Sequence, residues 1–157
     1  MMTDLKALTI TGDADQDFAA MMRIHHQGAL NMMQAYLPSA QDTMLKGMAQ
    51  KGIQKQQEEI GELTTFLSSH QPAAQKSDYG KEAVQMVLDM MHMDTMPSNT
   101  DKAFAAMMAP HHESAVHVSQ MYLTKGKDKS LRAMAKKIAS EQQKEADMLK
   151  QWLQSHP

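Results

Sequence analysis

The chain has 157 residues, enough for one ordinary domain and too few for two. Its charges nearly cancel, with 16 Lys and Arg against 18 Asp and Glu, so no basic field directs it toward nucleic acid or an anionic membrane. Cysteine is absent, which excludes disulfides, thiolate metal sites and cysteine nucleophiles. No apolar run approaches the roughly 20 residues that a membrane span needs. The unusual feature is methionine, with 18 residues beside 8 histidines.

The N-terminal tail, residues 1–14, lacks the apolar stretch of a secretory signal. The protein is therefore either cytoplasmic or a mature form, and the tail does not decide between them. Few glycines and prolines, with Ala, Met, Gln, Lys and Glu throughout, favour helix over sheet. The composition thus predicts an all-α fold.

An internal repeat follows the tail. Residues 15–37, DQDFAAMMRIHHQGALNMMQAYL, realign without a gap on residues 101–123, DKAFAAMMAPHHESAVHVSQMYL, and the same offset continues to the end of the chain. We therefore divide a single domain, 1–157, into a first repeat at 15–70, a connection at 71–99 and a second repeat at 100–157.

Each repeat has the pattern of a helical hairpin. Apolar positions recur at helical spacing from Phe18 to Tyr36, Pro38 interrupts them, and a second apolar stripe covers about 41–69. Two hairpins bury four stripes most economically as a four-helix bundle. The connection adds a methionine-rich helix at about 81–96. Pro110, inside the second copy of the first helix, predicts a kink or a helix start.

Polar residues interrupt the apolar stripes at the same places in both repeats. His25 and His111 lie at the centre of the first-helix stripe, with His26 and His112 at its flank. Buried imidazoles and carboxylates cost several kcal/mol unless they are paired. The helical rise puts partners from the second helices at the same height. We therefore predict one layer that unites the four histidines with these residues: Met22, Met108, Gln56, Glu59, Gln142 and Glu145.

Thioether and imidazole ligands without thiolate suit Cu(I) and, by the same softness, Ag(I). Zinc would prefer Cys or three His, and calcium and magnesium need oxygen cages that are absent here. The primary candidate ligands are the four histidines with Met22 and Met108, while the glutamates and glutamines of the layer would orient the rings. Further candidate ligands are the nearby or clustered Met21, Met33, Met107, His117, Met121, Met90, His92 and Met93.

The repeated pattern D-x-x-F-x-x-x-M-x-x-H-H-x-x-A begins at Asp15 and again at Asp101, and each second helix carries Gln-x-x-Glu. In these motifs the chain resembles the family catalogued as domain of unknown function 305. The resemblance implies a ferritin-like helical bundle, kinship with secreted or periplasmic proteins that bind copper and silver and support metal tolerance, and a role for both His pairs with Met22 and Met108. We therefore expect a mature periplasmic or secreted form.

The leading hypothesis is a soluble, non-enzymatic protein that sequesters or carries Cu(I), and also Ag(I), in copper homeostasis or tolerance. Its expected partners are metal ions and other copper-handling proteins, and its oligomeric state stays open. One alternative is a dinuclear iron or manganese carboxylate oxidoreductase, although the Glu-x-x-His motif of such sites is absent. Another is a methionine-lined module that grips partner helices without metal. Methionines and paired histidines can also be plain core packing.

Overall fold

The computed structural model describes residues 1–73 and 76–157, and all regular structure in these two ranges is helical. The connection predicted at 71–99 includes residues 74 and 75, which lie outside the described residues. The α-helices in chain order are α1 (Met2–Ala7), α2 (Ala14–Tyr36), α3 (Thr43–Ser69), α4 (Tyr79–Met90), α5 (Thr100–Leu123) and α6 (Lys129–Ser155). A short 3-10 turn, Leu37–Ser39, follows α2.

The four long helices form the predicted bundle. Helix α2 packs on α3 within the first repeat, α5 packs on α6 within the second, and α2 packs on α5 between the repeats. Helix α4 covers α5 and α2, and α1 lies against α4 and α2. The prediction of an all-α, ferritin-like four-helix bundle with an extra helix in the connection is confirmed. No helix among the described residues is both long and apolar enough to cross a bilayer.

Each long helix starts at a polar side chain that accepts hydrogen bonds from free backbone N–H groups of the first turn. The caps are Asp13, Asp42, Asn99 and Asp128. The caps are equivalent in the two repeats, Asp13 with Asn99 and Asp42 with Asp128. The cap residues therefore set where both helices of each hairpin begin.

The repeated Asp and Phe of the motif join the two repeats. Asp101 at the start of α5 accepts a hydrogen bond of 2.6 Å from the Tyr36 hydroxyl at the end of α2. It also accepts from the backbone N–H groups of Gln41 and Asp42, each at 3.1 Å. Phe104, one turn further on, stacks on the Tyr36 ring. One repeat's first helix is thus anchored to the other repeat's turn.

The equivalent residues form the same set of contacts, which we call a latch, at the opposite end of the bundle. Asp15 accepts from the Tyr122 hydroxyl and from the backbone N–H groups of Lys127 and Asp128. Phe18 stacks on Tyr122. Each latch joins the start of one repeat's first helix to the end of the other repeat's first helix, so α2 and α5 run antiparallel. Residues at equivalent positions near their midpoints therefore meet.

Three local expectations differ from the structure. The helix in the connection ends at Met90 instead of 96, because its buried positions stop at Val87 and a helix without packing is marginal. The N-terminal tail contains α1, which buries Leu5. A helix start at Pro110 is wrong, since α5 runs from Thr100 through Pro110 to Leu123. The residues on both sides of the proline are buried, and their packing offsets the cost of the hydrogen bond that the proline cannot donate.

Candidate metal centre

The centre of the bundle holds a central imidazole pair, His25 of α2 and His111 of α5. Their ring centroids lie 3.7 Å apart, and the residues are 1% and 0% exposed. Burial lowers the pKa of both well below the ordinary histidine value, and the neighbouring imidazoles add to this effect. Both rings are therefore neutral near pH 7, which is the form that binds a metal ion.

The outer imidazoles, His26 and His112, each face a glutamate of the following helix. His26 Nε2 lies 3.4 Å from Glu59 Oε1, and His112 Nε2 lies 3.1 Å from Glu145 Oε2. Burial alone would raise the pKa of Glu145, but the hydrogen bond from His112 and the charges of His112 and Lys55 outweigh it and lower that pKa. The structure thus brings together the glutamates and histidines predicted to pair.

The surroundings of the Nε2 atoms determine the tautomers of the central imidazole pair. The Ser114 hydroxyl donates to the His111 carbonyl, so it can only accept from His25 Nε2, at 2.9 Å. His111 Nε2 lies 3.2 Å from the Met1 thioether, which is also only an acceptor. His25 and His111 therefore carry their proton on Nε2. Of the outer imidazoles, His112 Nε2 faces the Glu145 carboxylate, whereas His26 Nε2 has no hydrogen-bond partner in the described chain.

The opposite nitrogen of His25 and His111, Nδ1, consequently has a free lone pair. All four Nδ1 atoms are buried, and none has a hydrogen-bond partner among the described residues. About nine in ten buried polar groups in proteins are paired, so four such nitrogens in one layer need an explanation. The carboxylate oxygens of Glu59 and the side-chain carbonyls of Gln56 and Gln142 are also without hydrogen-bond partners in the described chain.

Of the methionines predicted for this layer, Met108 borders it together with Met33, whereas Met21 and Met22 are fully buried in the hydrophobic cluster that contains Phe18 and Tyr122. A cavity of about 10 Å³, close to the room that one water molecule needs, is lined by Met33 and Met108. The other residues of the layer around this cavity are His112, Glu145, Gln56 and Gln142.

The residues that shape this cavity differ between the two repeats. Met33 fits there because Gly52 has no side chain, and a Cβ at that glycine would overlap the Met33 sulfur. The equivalent residues of the second repeat are Ser119 and Ile138. The two halves of the layer are therefore unequal in their sulfur donors.

The remaining candidate ligands lie away from the layer. His117 is exposed, Met121 is half-buried near the end of α5, and Met90 lines a different surface pocket. Met107, His92 and Met93 meet in an open cavity that we call the methionine pocket. The other thioethers of this pocket come from Met1, Met2, Met32, Met91 and Met96.

Sequence reasoning missed Met1, Met91 and Ser114. The difference between Ser114 and its repeat equivalent Gly28 was visible in the alignment, but its effect on an imidazole 89 residues away was not. In the described part of the chain, no group of three or more His, Asp or Glu side chains is arranged to hold a metal ion. An ion in the layer would therefore bind through few imidazoles or through imidazole and thioether together.

A family model described as domain of unknown function, DUF305, matches residues 15–103 and 101–157. The chain belongs to the DUF305 family. Among solved structures, it is similar to CopM in the apo form, with 28% identity, a TM-score of 0.71, and coverage of 90% of this chain and 96% of that chain. CopM in the Cu(I)-bound form gives 29% identity, a TM-score of 0.69 and the same coverages.

CopM was also solved with silver by co-crystallisation, and that form matches at 28% identity and a TM-score of 0.70, with coverage of 90% of this chain and 96% of that chain. A search of curated proteins found no match. The DUF305 assignment and the similarity to CopM therefore rest on the family model and the solved structures.

Proposed function

We propose that this protein binds Cu(I), and Ag(I) in the same way, in the histidine layer of its bundle, and that it carries or sequesters the ion without catalysing a reaction. The observation that carries the proposal is the set of four buried Nδ1 atoms without a hydrogen-bond partner in the described chain, of which those of His25 and His111 have free lone pairs. A soft monovalent ion is a partner for neutral imidazole and thioether donors.

The chemistry of the layer supports a monovalent ion. The neutral imidazoles of His25 and His111 and the thioethers release no proton when they bind a metal ion, so binding to this pair does not compete with protonation near neutral pH. Glu145 lies 3.1 Å from His112 Nε2 and Glu59 lies 3.4 Å from His26 Nε2, the placement of carboxylates that orient metal-binding histidines. A buried layer of this kind has no open position for a substrate, which favours storage or transport.

The similarity to CopM supports both the metal and its handling. CopM was solved in Cu(I)-bound, Cu(II)-bound and silver-bound forms, and the two chains superpose over nearly their whole length. We extend copper and silver binding to this chain, with Met and His as the ligands. Thioethers and imidazoles, unlike thiols, cannot be lost as metal ligands through disulfide formation, so they suit an oxidising compartment. We therefore propose that the mature protein is periplasmic or secreted.

An anaerobic competition titration of Cu(I) against a chromogenic Cu(I) chelator tests the proposal. We expect the wild-type protein to withdraw Cu(I) from the chelator and to bind Zn(II) and Fe(II) weakly. A His25→Leu/His111→Leu variant that keeps its helical circular dichroism should lose the tightly bound ion. His117→Leu, an exposed histidine, is the matched control. Equal Cu(I) uptake by the wild type and the double variant would overturn the proposal.

A further inference from the structure

The methionine pocket is a second cluster of soft donors, outside the histidine layer. It is an open cavity of about 490 Å³ between the start of the chain, α2, α5 and the segment that follows α4. Met32 and Met107 form its wall on the bundle, while Met93 and Met96 approach from the connection. Met96 is half exposed, so ions in solution reach these sulfurs directly.

The lining of the pocket differs from that of an ordinary apolar patch. Its side chains are methionine, His92 and Asn31, with Gly28 at the base, and no Lys or Arg is present in the lining. His92 Nε2 lies 3.1 Å from Asp94, so a carboxylate stands beside the only imidazole of the lining. A site with several thioethers, an imidazole and a nearby negative charge favours a soft cation.

A difference between the repeats connects the pocket to the central imidazole pair. In the second repeat, the Ser114 hydroxyl occupies the space beside His25 Nε2. Gly28 is the equivalent residue of the first repeat, and the Met1 sulfur fills the space that a side chain would take there. A Cβ at Gly28 would lie 2.8 Å from that sulfur, which is itself 3.2 Å from His111 Nε2. The pocket therefore reaches the pair on its His111 side.

We propose that the methionine pocket is an outer Cu(I) or Ag(I) site, from which the ion passes to the histidine layer beside His111. This inference rests on the proposed function for the destination of the ion, but binding at the pocket stands on its own observations. Passage is ligand exchange, in which a metal–sulfur bond breaks as a bond forms to an Nδ1 atom of the central imidazole pair, because Nε2 of His111 keeps its proton. The ion keeps its charge and no electron is transferred.

Binding stoichiometry tests the outer site. The triple variant Met32→Leu, Met93→Leu, Met107→Leu removes three sulfurs while keeping the side chains close in volume. We expect it to bind one Cu(I) fewer than the wild type in the anaerobic titration, with the tight ion of the layer retained. Met44→Leu/Met148→Leu, which alters two exposed methionines elsewhere, should bind the full number.

The two proposals fail in different ways. If the triple variant binds as much Cu(I) as the wild type, the outer site is wrong, and the pocket is then a surface for an apolar partner or plain packing. If the His25→Leu/His111→Leu variant binds the full number of Cu(I) ions while the triple variant binds fewer, the histidine layer is wrong as a metal site and the outer site in the pocket stands.

Gly28→Ser tests the route, because it gives the first repeat the hydroxyl of the second. We expect the stopped-flow phase in which Cu(I) from the chelator fills the histidine layer to be at least several-fold slower in this variant than in the wild type. The final stoichiometry should be unchanged. An unchanged rate would overturn passage beside His111.

Discussion

Replacing the central imidazole pair with leucine is expected to stabilise the metal-free protein. Each of the two rings buries an Nδ1 atom without a partner in the described chain, and such an atom costs about 1–3 kcal/mol. The change loses the ring stacking, the hydrogen bond from His25 to Ser114 and the hydrogen bond from His111 to the Met1 thioether, each worth about 0.5–1.5 kcal/mol. Ser114 is not left unpaired, because its hydroxyl still donates to the carbonyl of residue 111. The balance is a gain of about 0.5–1.5 kcal/mol.

Thermal unfolding followed by circular dichroism, with a chelator to keep the protein metal-free, measures this gain. A chain of this length shifts its Tm by about 2–4 °C for each kcal/mol. Ag(I) in hundredfold excess over its Kd should stabilise the wild type by about 2.7 kcal/mol and the His25→Leu/His111→Leu variant far less. His117→Leu should behave as the wild type in both conditions. A metal-free double variant that melts below the wild type would refute the reasoning, because the imidazoles would then serve the fold.

Three further changes test other parts of the structure. Tyr36→Phe removes a donor to a buried carboxylate, so urea unfolding should show a loss of about 1.5–3 kcal/mol, and no loss would contradict the latch. Gly52→Ala forces the Met33 sulfur out of its place, and the same assay should show a loss of about 1–3 kcal/mol, whereas Gly47→Ala, with open space around it, should show none. The pKa of Asp42 is lowered, chiefly by the backbone N–H groups at the start of α3 and also by Trp152, although burial acts the other way. Its contribution to stability is therefore present above the pKa of the unfolded chain and is lost as pH falls through the folded value, so Asp42→Asn should flatten the acid-unfolding curve below about pH 4.

The alignment of the repeats predicted the fold and the composition of the histidine layer, because it constrains both periodicity and position. His25 and His111 had to meet once two identical hairpins packed about a common axis, and Glu59 and Glu145 followed from the helical rise. In the sequence, Asp101 could be recognised only as a member of the repeated motif, and its role in the latch could not. Its partner Tyr36 lies 65 residues away, so the contact depends on how the hairpins pack.

The tautomers and the methionine pocket could not be predicted in the same way. The proton of His25 is placed by Ser114, a residue that the repeat replaces with glycine, and periodicity says nothing about such a substitution. The pocket joins the start of the chain to the segment after α4. From the helical spacing of its methionines, that helix was predicted to extend to 96, with Met90 as a ligand. In the structure α4 ends at Met90, and Met91 lines the pocket in its place.

The central claim is that the Nδ1 atoms of the layer bind the ion while the Nε2 atoms keep their protons. Long-range ¹H–¹⁵N correlation spectra of the histidine-labelled protein, before and after addition of Ag(I), test it most directly. Before addition, His25 and His111 should show the Nε2–H tautomer. With Ag(I), the Nδ1 resonances of this pair should shift strongly and its Nε2–H signals should persist. Rings protonated on Nδ1, or Nδ1 resonances that do not respond to Ag(I), would contradict the account.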